Sequence, residues 1–280
     1  MSLFHGKPNT HINHVAIKVT DVNRSLTFYK EILGLKVLEQ TKTKVHLTVD
    51  GRSPLITLIS LDNPEKNPNK TTGLYHFALL LPSRDDLAQF LQHLLDHRIP
   101  FGASDHHVSE AIYLNDPDGN GIEVYCDRPR DSWDWVHERV TMETERLNGS
   151  DLLTEKTKDW EFMSSETVLG HLHLHVNNLD ESKMFFEAIG FSVVNEFHGA
   201  VFMSAGKYHH HIAFNIWNGI DAKAPKDNNV GMKSYSIVYD SVSVRDQILA
   251  SLQQMNKEVK KIGDAYIVRD MNNSEILLLV

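Results

Sequence analysis

Cysteine is almost missing: Cys126 is the only one in 280 residues. A lone thiol excludes an intramolecular disulfide framework and fits a reducing cytoplasm. Long apolar runs are missing too. None approaches the ~20 residues that span a bilayer, and the opening MSLFHGKPNTHINHV has no signal-peptide core. A cytoplasmic protein without a membrane partner is therefore expected. Positive charge is the minority sign, with Lys and Arg at 28 against Asp and Glu at 37, a formal net charge of -9. That balance argues against nucleic acid as the main partner. What remains, 41% hydrophobic and 23% charged, is the make-up of an ordinary globular chain of one large or two moderate domains. One residue type is abundant instead. There are 17 histidines, and where they cluster on strand-like segments they raise a metal hypothesis.

The most informative stretch is Ile112–Tyr125, IYLNDPDGNGIEVY. An apolar run ends at Asn115, and Asp-Pro-Asp-Gly-Asn-Gly then makes a tight turn, with Pro presetting φ and Gly and Asn supplying positive φ. The chain resumes as a strand in which alternation sends Glu123 to the face opposite Ile122 and Val124. A carboxylate in such a strand is rarely buried unless it is paired or binds a metal. Glu123 is accordingly read as a metal ligand, against the plainer reading of an ion pair with a Lys or Arg.

A pattern of strand, helix and three strands recurs four times. The first copy has His14–Val19, a helix Arg24–Leu33 capped by Asp21, and strands at Lys36–Glu39, Val45–Val49 and Leu55–Ser60. The second has Leu74–Leu81, a helix Asp85–His97 with apolar Leu87, Phe90, Leu91, Leu94 and Leu95, and strands at Phe101, Ala111–Leu114 and Ile122–Tyr125. The third starts at His171, with a helix capped by Asp180 and running through Ala188, then Phe191–Glu196, Ala200–Ser204 and His210–Trp217. The fourth has Lys233–Tyr239, a helix Val244–Met255, Val259–Ile262, Ala265–Asp270 and Glu275–Val280. Repetition of this order marks an internally duplicated architecture. Residues 129–167 are polar and charged and read as a linker, with a short helix around Gly149–Lys156. The linker is long for a passive loop, and Trp133, Trp135 and Trp160 suggest that it packs on a surface. In chain order the domains are 9–128 and 168–280. Pairing the second module with the third and the first with the fourth is the alternative.

Four such modules, together with TGLYHFALLLP, VSEAIYLNDPDGNGIEVYCDRPR, GHLHLHV and YHHHIAFNIW, resemble the vicinal oxygen chelate superfamily. It includes glyoxalase I, bleomycin- and fosfomycin-resistance proteins and type I extradiol dioxygenases. Within it the chain looks most like the catechol 2,3-dioxygenase-like proteins of bacilli. The resemblance implies an α+β fold of four βαβββ modules, paired into two half-open mixed β-barrels. It implies a divalent metal held in one bowl by first- and last-strand residues, two His and one Glu in extradiol enzymes. Fe(II) is the metal implied, with Mn or Zn as alternatives. The first-strand candidates are His14, His76 and His171, and Glu123 is the last-strand one. Two sets survive: His76, Glu123 and His171, or His14, His76 and Glu123. The first explains more, because YHHHIAF of module three then supplies the histidine pair His209 and His210, and Tyr113 precedes Glu123 by the ten residues seen in the family. His106 fits the spacing of the family's further histidine, whereas Ser104 departs from the position before it.

These residues imply ring cleavage of a catechol- or hydroquinone-like aromatic by O2. His210, with His209 in reserve, moves protons, and Tyr113 binds the substrate oxygen. His173 and His175 are read as support or interface residues, His106 and His107 as lining the cavity mouth or, equally, as part of a solvated loop, and Cys126 as structural. The competing functions are a glyoxalase-like isomerase or thiol transferase and a protein that binds small aromatics. A homo-oligomer is the expectation carried by the superfamily.

Overall fold

The computed structural model describes residues 4–68 and 70–280, and each module pattern takes the form its periodicity dictates. Module one is β1 (His11–Val19), α1 (Val22–Glu31), β2 (Lys36–Gln40), β3 (Lys44–Thr48) and β4 (Ile56–Ser60). Module two is β5 (Gly73–Leu81), α2 (Arg84–Asp96), β6 (Gly102–Asp105), β7 (Ser109–Asn115) and β8 (Gly121–Asp127). The linker holds β9 (Trp135–Val136), β10 (Arg139–Val140), β11 (Glu145–Arg146) and α3 (Gly149–Thr154). Module three is β12 (Val168–His175), α4 (Leu179–Ala188), β13 (Ser192–Phe197), β14 (Ala200–Ser204) and β15 (Ile212–Asn215). Module four is β16 (Gly231–Val238), α5 (Val242–Gln254), β17 (Lys260–Ile262), β18 (Ala265–Arg269) and β19 (Glu275–Leu279). This is the mixed α+β, half-barrel architecture.

The helix starts follow from side-chain caps. Asp21 Oδ1 accepts from the amides of Asn23 and Arg24, and Ser83 Oγ from that of Asp86. Satisfying these otherwise orphaned donors fixes where each helix begins. In α4 the cap is Asn178, which accepts from the Glu181 amide, and not Asp180. A cap precedes by two or three residues the amide it serves, and Asp180 falls inside the first turn, where its charge meets the positive end of the helix. Helix α2 buries Leu87, Phe90, Leu91 and Leu94, an i, i+3, i+4, i+7 stripe, while Leu95 lies outside that stripe and faces solvent.

Two curled sheets carry the modules. One has nine strands in the order β11-β6-β7-β8-β5-β12-β15-β14-β13, the other eight in the order β17-β18-β19-β16-β1-β4-β3-β2. In each module the first strand runs parallel to the last. The sheets are joined across modules by antiparallel pairing of first strands, β5 with β12 and β1 with β16. Modules two and three therefore share one sheet and modules one and four the other, so the chain-order division into 9–128 and 168–280 cuts across both. The sheets meet where β1 contacts β12 and β16 contacts β5. One apolar core, from Ile12 and Val15 through Phe77, Phe185 and Tyr235 to Leu278, runs through all four modules. Among the described residues no helix is long and apolar enough to cross a membrane.

The turn before the last strand repeats its chemistry. Asp116 Oδ1 accepts from the amides of Asp118 and Asn120, both at 2.9 Å. Asp270 Oδ1 accepts from those of Asn272 and Ser274, at 2.8 and 2.9 Å. Asp270 is fully buried, and burial pushes its carboxyl up to about 7. The folded state then binds a proton that the unfolded chain has already lost. Stability is expected to fall as pH rises from the ordinary carboxylate value towards 7 and to level off above it. Asp270→Asn keeps the acceptor oxygen and removes the titration. Urea-unfolding midpoints between pH 5 and 8 should decline for the wild type and stay flatter for the variant. Parallel curves would refute this account.

Candidate metal centre

Three strands in a row build the site. β5 lies between β8 and β12, and Ala78 of β5 stands opposite both Glu123 of β8 and His171 of β12. Period-two alternation puts His76 on the same face as Ala78. The small, fully buried Ala78 leaves room over itself into which the three longer side chains converge. Their donor atoms all lie within 4.8 Å of one another, and all three residues are buried. His171 Nε2 is 3.1 Å and His76 Nε2 is 3.0 Å from Glu123 Oε2. Only the His171 contact has hydrogen-bond geometry, so His76 Nε2 is buried without a partner, as is His171 Nδ1.

Electrostatics favours the protonation state that binds a metal. Burial alone would raise the Glu123 carboxyl, but His171 and His76 beside it hold it well below the usual carboxylate range. Burial lowers His171 to about 4 against the opposing pull of Glu123. An ionised carboxylate and a neutral imidazole are what a divalent cation requires. The donor set fits such an ion. Two imidazoles and one carboxylate converge in a buried bowl, and an orphaned ring nitrogen there is a polar group in need of a partner.

His14, the alternative first-strand ligand, lies in the other sheet. Its Nε2 is 2.7 Å from Thr57 Oγ1, which also bonds His46 Nδ1 at 2.8 Å. Neither Arg128 nor Arg130 pairs with Glu123: Arg128 pairs with Asp105 and Glu110, and Arg130 lies over the Phe4 ring.

Around the three residues is a cavity of about 360 Å³ lined by Tyr75, His106, Val108, Tyr113, Met142, Glu143, Thr144, His173, Phe197, Phe202, His210 and Trp217 among others. Tyr113 pairs directly across the ladder with Glu123. Burial first, and then Glu123, raise its phenol well above the ordinary value, so it keeps its proton. His106 Nδ1 is 2.8 Å from the Glu143 carbonyl and its Nε2 is 2.6 Å from Tyr113 Oη. A carbonyl only accepts, so Nδ1 carries a proton, and with the imidazole neutral Tyr113 donates to Nε2. His173 Nε2 accepts from Asn215 Nδ2 at 2.8 Å, which occupies a nitrogen otherwise able to ligate. His175 bonds the same Asn215.

Of the histidine run, His210 lines the cavity with its ring centroid 4.1 Å from that of His171. His209 is placed behind it, fully buried and outside the lining. His211 faces away, with Nε2 bonded to the Phe4 carbonyl. His107 also lies outside, beside Glu145 on the surface. Gly170, next to His171, is required by packing, because a Cβ there would lie 2.0 Å from Tyr125 Oη. Burial pushes the Cys126 thiol far up, which suits a packing residue.

Sequence reasoning did not find Trp217, Phe197, Phe202 or the linker residues Met142–Thr144 as cavity walls. Trp217 carried a signal, an exposed-type aromatic closing a histidine-rich strand. Met142 carried none, since its contact with the cavity is entirely long-range.

A family model described as the Glyoxalase/Bleomycin resistance protein/Dioxygenase superfamily matches residues 11–124. The chain is 38% identical over 274 residues to the catechol-2,3-dioxygenase of Bacillus subtilis (strain 168), covering 94% of each protein. It is 30% identical over 131 residues to the metallothiol transferase FosB of Staphylococcus epidermidis, covering 45% of this chain and 88% of that one. Among solved structures, a putative dioxygenase from Bacillus subtilis shares the fold with a TM-score of 0.69 and 15% identity, over 96% of this chain and 84% of that one. Glyoxalase I from Zea mays does so with a TM-score of 0.56 and 14% identity, over 96% and 92%.

Proposed function

The chain belongs to the glyoxalase/bleomycin resistance protein/dioxygenase superfamily, and from that premise we propose that it is a metal-dependent extradiol dioxygenase that opens a catechol-like ring with O2. The observation that carries the reading is the convergence of His76, Glu123 and His171 in one buried bowl. These three residues would hold the metal, with Fe(II) as the ion. Held by two imidazoles and one carboxylate, the ion would supply the Lewis-acid centre that brings the diol and O2 together.

The remaining side chains bind, orient and move protons. Tyr113 donates to His106 and so turns an oxygen lone pair towards the cavity, where it can accept from a substrate hydroxyl. His210 is the group that takes up the second hydroxyl proton and returns it to the product. Both oxygen atoms of O2 enter the product, so no external reductant is required. Phe197, Phe202, Trp217 and Met142 flank the ring and keep water out.

Among the described residues no Lys or Arg lines this cavity, and its non-histidine charges are the carboxylates Glu123 and Glu143. A ring bearing its own carboxylate would enter unpaired, at a cost in desolvation. Anaerobically purified protein loaded with Fe(II) is expected to consume O2 and form a yellow product from catechol and methylcatechols. With 3,4-dihydroxybenzoate, kcat/KM should be about tenfold lower or less, a difference of roughly 1.4 kcal/mol. Absence of O2 uptake across catechols and hydroquinones would overturn the activity. Equal use of the carboxylated ring would overturn the preference alone.

A further inference from the structure

Behind His210 a file of hydrogen bonds leads from the cavity to the surface. His210 Nδ1 is 2.8 Å from His209 Nδ1. His209 Nε2 is 2.9 Å from Asp127 Oδ1, at the end of β8, where the carboxylate side chain is 21% exposed. Tyr208 donates its hydroxyl to the same Oδ1 at 3.1 Å and stands 2.7 Å from Tyr125 Oη. The His209 ring is enclosed by Tyr208 and Trp133, with centroids 4.0 and 5.3 Å away.

With His209 neutral, elementary donor and acceptor rules fix the protons from Asp127 to His210. A carboxylate only accepts, so His209 Nε2 carries the hydrogen. In a neutral imidazole the other nitrogen, Nδ1, is then an acceptor. Two facing nitrogens 2.8 Å apart need one donor, so His210 Nδ1 carries the hydrogen and His210 Nε2 is left with a bare lone pair. We propose that Asp127 and His209 are positioning residues that hold His210 in the Nδ1–H tautomer, so that its Nε2 acts as the base in the cavity. The inference rests on the reading of His210 as the proton-transfer group. A triad of carboxylate, imidazole and base works by the same logic, in which the carboxylate sets the tautomer and orientation of its partner without taking the proton itself.

Tautomers can be read without turnover. Long-range proton–nitrogen spectra of the Zn(II)-loaded protein should show His210 protonated at Nδ1 and bare at Nε2. Asp127→Asn offers both a donor and an acceptor to His209 and should mix the tautomers of His210. In the Fe(II) protein that variant should lower kcat about 10²-fold, leave KM within about threefold and leave the bound iron unchanged. Asp127→Glu should recover most of the rate. The proposal is overturned if His210 carries its hydrogen on Nε2 in the wild type. It is also overturned if Asp127→Asn keeps the wild-type kcat, or if KM alone moves. Should Asp127→Asn fail to fold, the wild-type spectrum and Asp127→Glu still decide. Should the Fe(II) protein cleave no ring, the activity reading fails while the nitrogen spectrum judges the tautomer separately.

Discussion

His171→Ala is expected to strip the protein of its metal, whereas His14→Ala should leave metal content and turnover within about twofold of the wild type. The two histidines hold equivalent places in their modules, each at the start of a first strand that pairs antiparallel with another first strand. Their neighbours differ. His171 stands opposite Ala78, with Glu123 and His76 within reach. His14 stands opposite Ser236 and bonds Thr57. In its sheet the place of Glu123 is taken by Leu277, which pairs with Ser236 as Glu123 pairs with Ala78. His14 and His46 share the Thr57 hydroxyl and, among the described residues, have no carboxylate grouped with them, whereas His76 and His171 converge on one, the set that suits a divalent ion. Loss even of a residue that supports a ligand weakens metal binding by about 10- to 100-fold, so loss of a ligand itself should exceed that range. Metal analysis after dialysis, with O2 uptake measured in parallel, is the check. If His14→Ala loses the metal and His171→Ala keeps it, the centre is not where the geometry puts it.

What could be read in the sequence, and what could not, follows from the range of the forces involved. Alternation around Glu123 and the Asp-Pro-Asp-Gly-Asn-Gly turn are local, so β7, β8 and the inward carboxylate were legible from a dozen residues. The module order was legible for the same reason, since each helix carries its own stripe and cap. Sheet pairing is not local. Whether β5 joins β12 or β1 depends on which first strands lie side by side after the linker has folded, and only the distribution of histidines bore on it. Asp127 shows the limit most clearly. In the sequence it is the last residue of an apolar strand beside two arginines at 128 and 130. In the structure it turns to His209, 82 positions away, a contact that no spacing rule reaches. The linker behaves likewise: Trp133 packs on Phe4 and Tyr208, and Trp160 on Phe90, as a segment too long for a passive loop should, yet its delivery of Met142–Thr144 to the cavity had no local signature.

Arg84→Ala is expected to cost about 3 kcal/mol of stability, the size seen when one partner of a buried ion pair is removed. Arg84 opens α2 and donates Nε to Glu110 Oε2 at 2.5 Å and Nη2 to Oε1 at 3.1 Å, a two-pronged grip on a carboxylate of β7 that is only 2% exposed. Arg128, 3.3 Å from the same carboxylate, is shared with Asp105 and compensates in part. The outer face of Arg84 meets Asp151 at 2.6 Å and Glu155 at 3.0 Å, which ties the linker helix α3 to module two. Those two carboxylates are 57% and 49% exposed, and exposed pairs of this kind contribute about 1 kcal/mol or less. The combined change Asp151→Asn with Glu155→Gln should therefore cost little, although it removes two of the three ion pairs that Arg84→Ala breaks. Pairing Arg84→Met with Glu110→Leu should restore much of the loss, because no buried charge is then left unpaired. Urea-unfolding midpoints of these variants separate the terms. A small effect of Arg84→Ala, or a loss at Asp151 and Glu155 equal to it, would place the stabilisation on the surface instead of at the buried carboxylate.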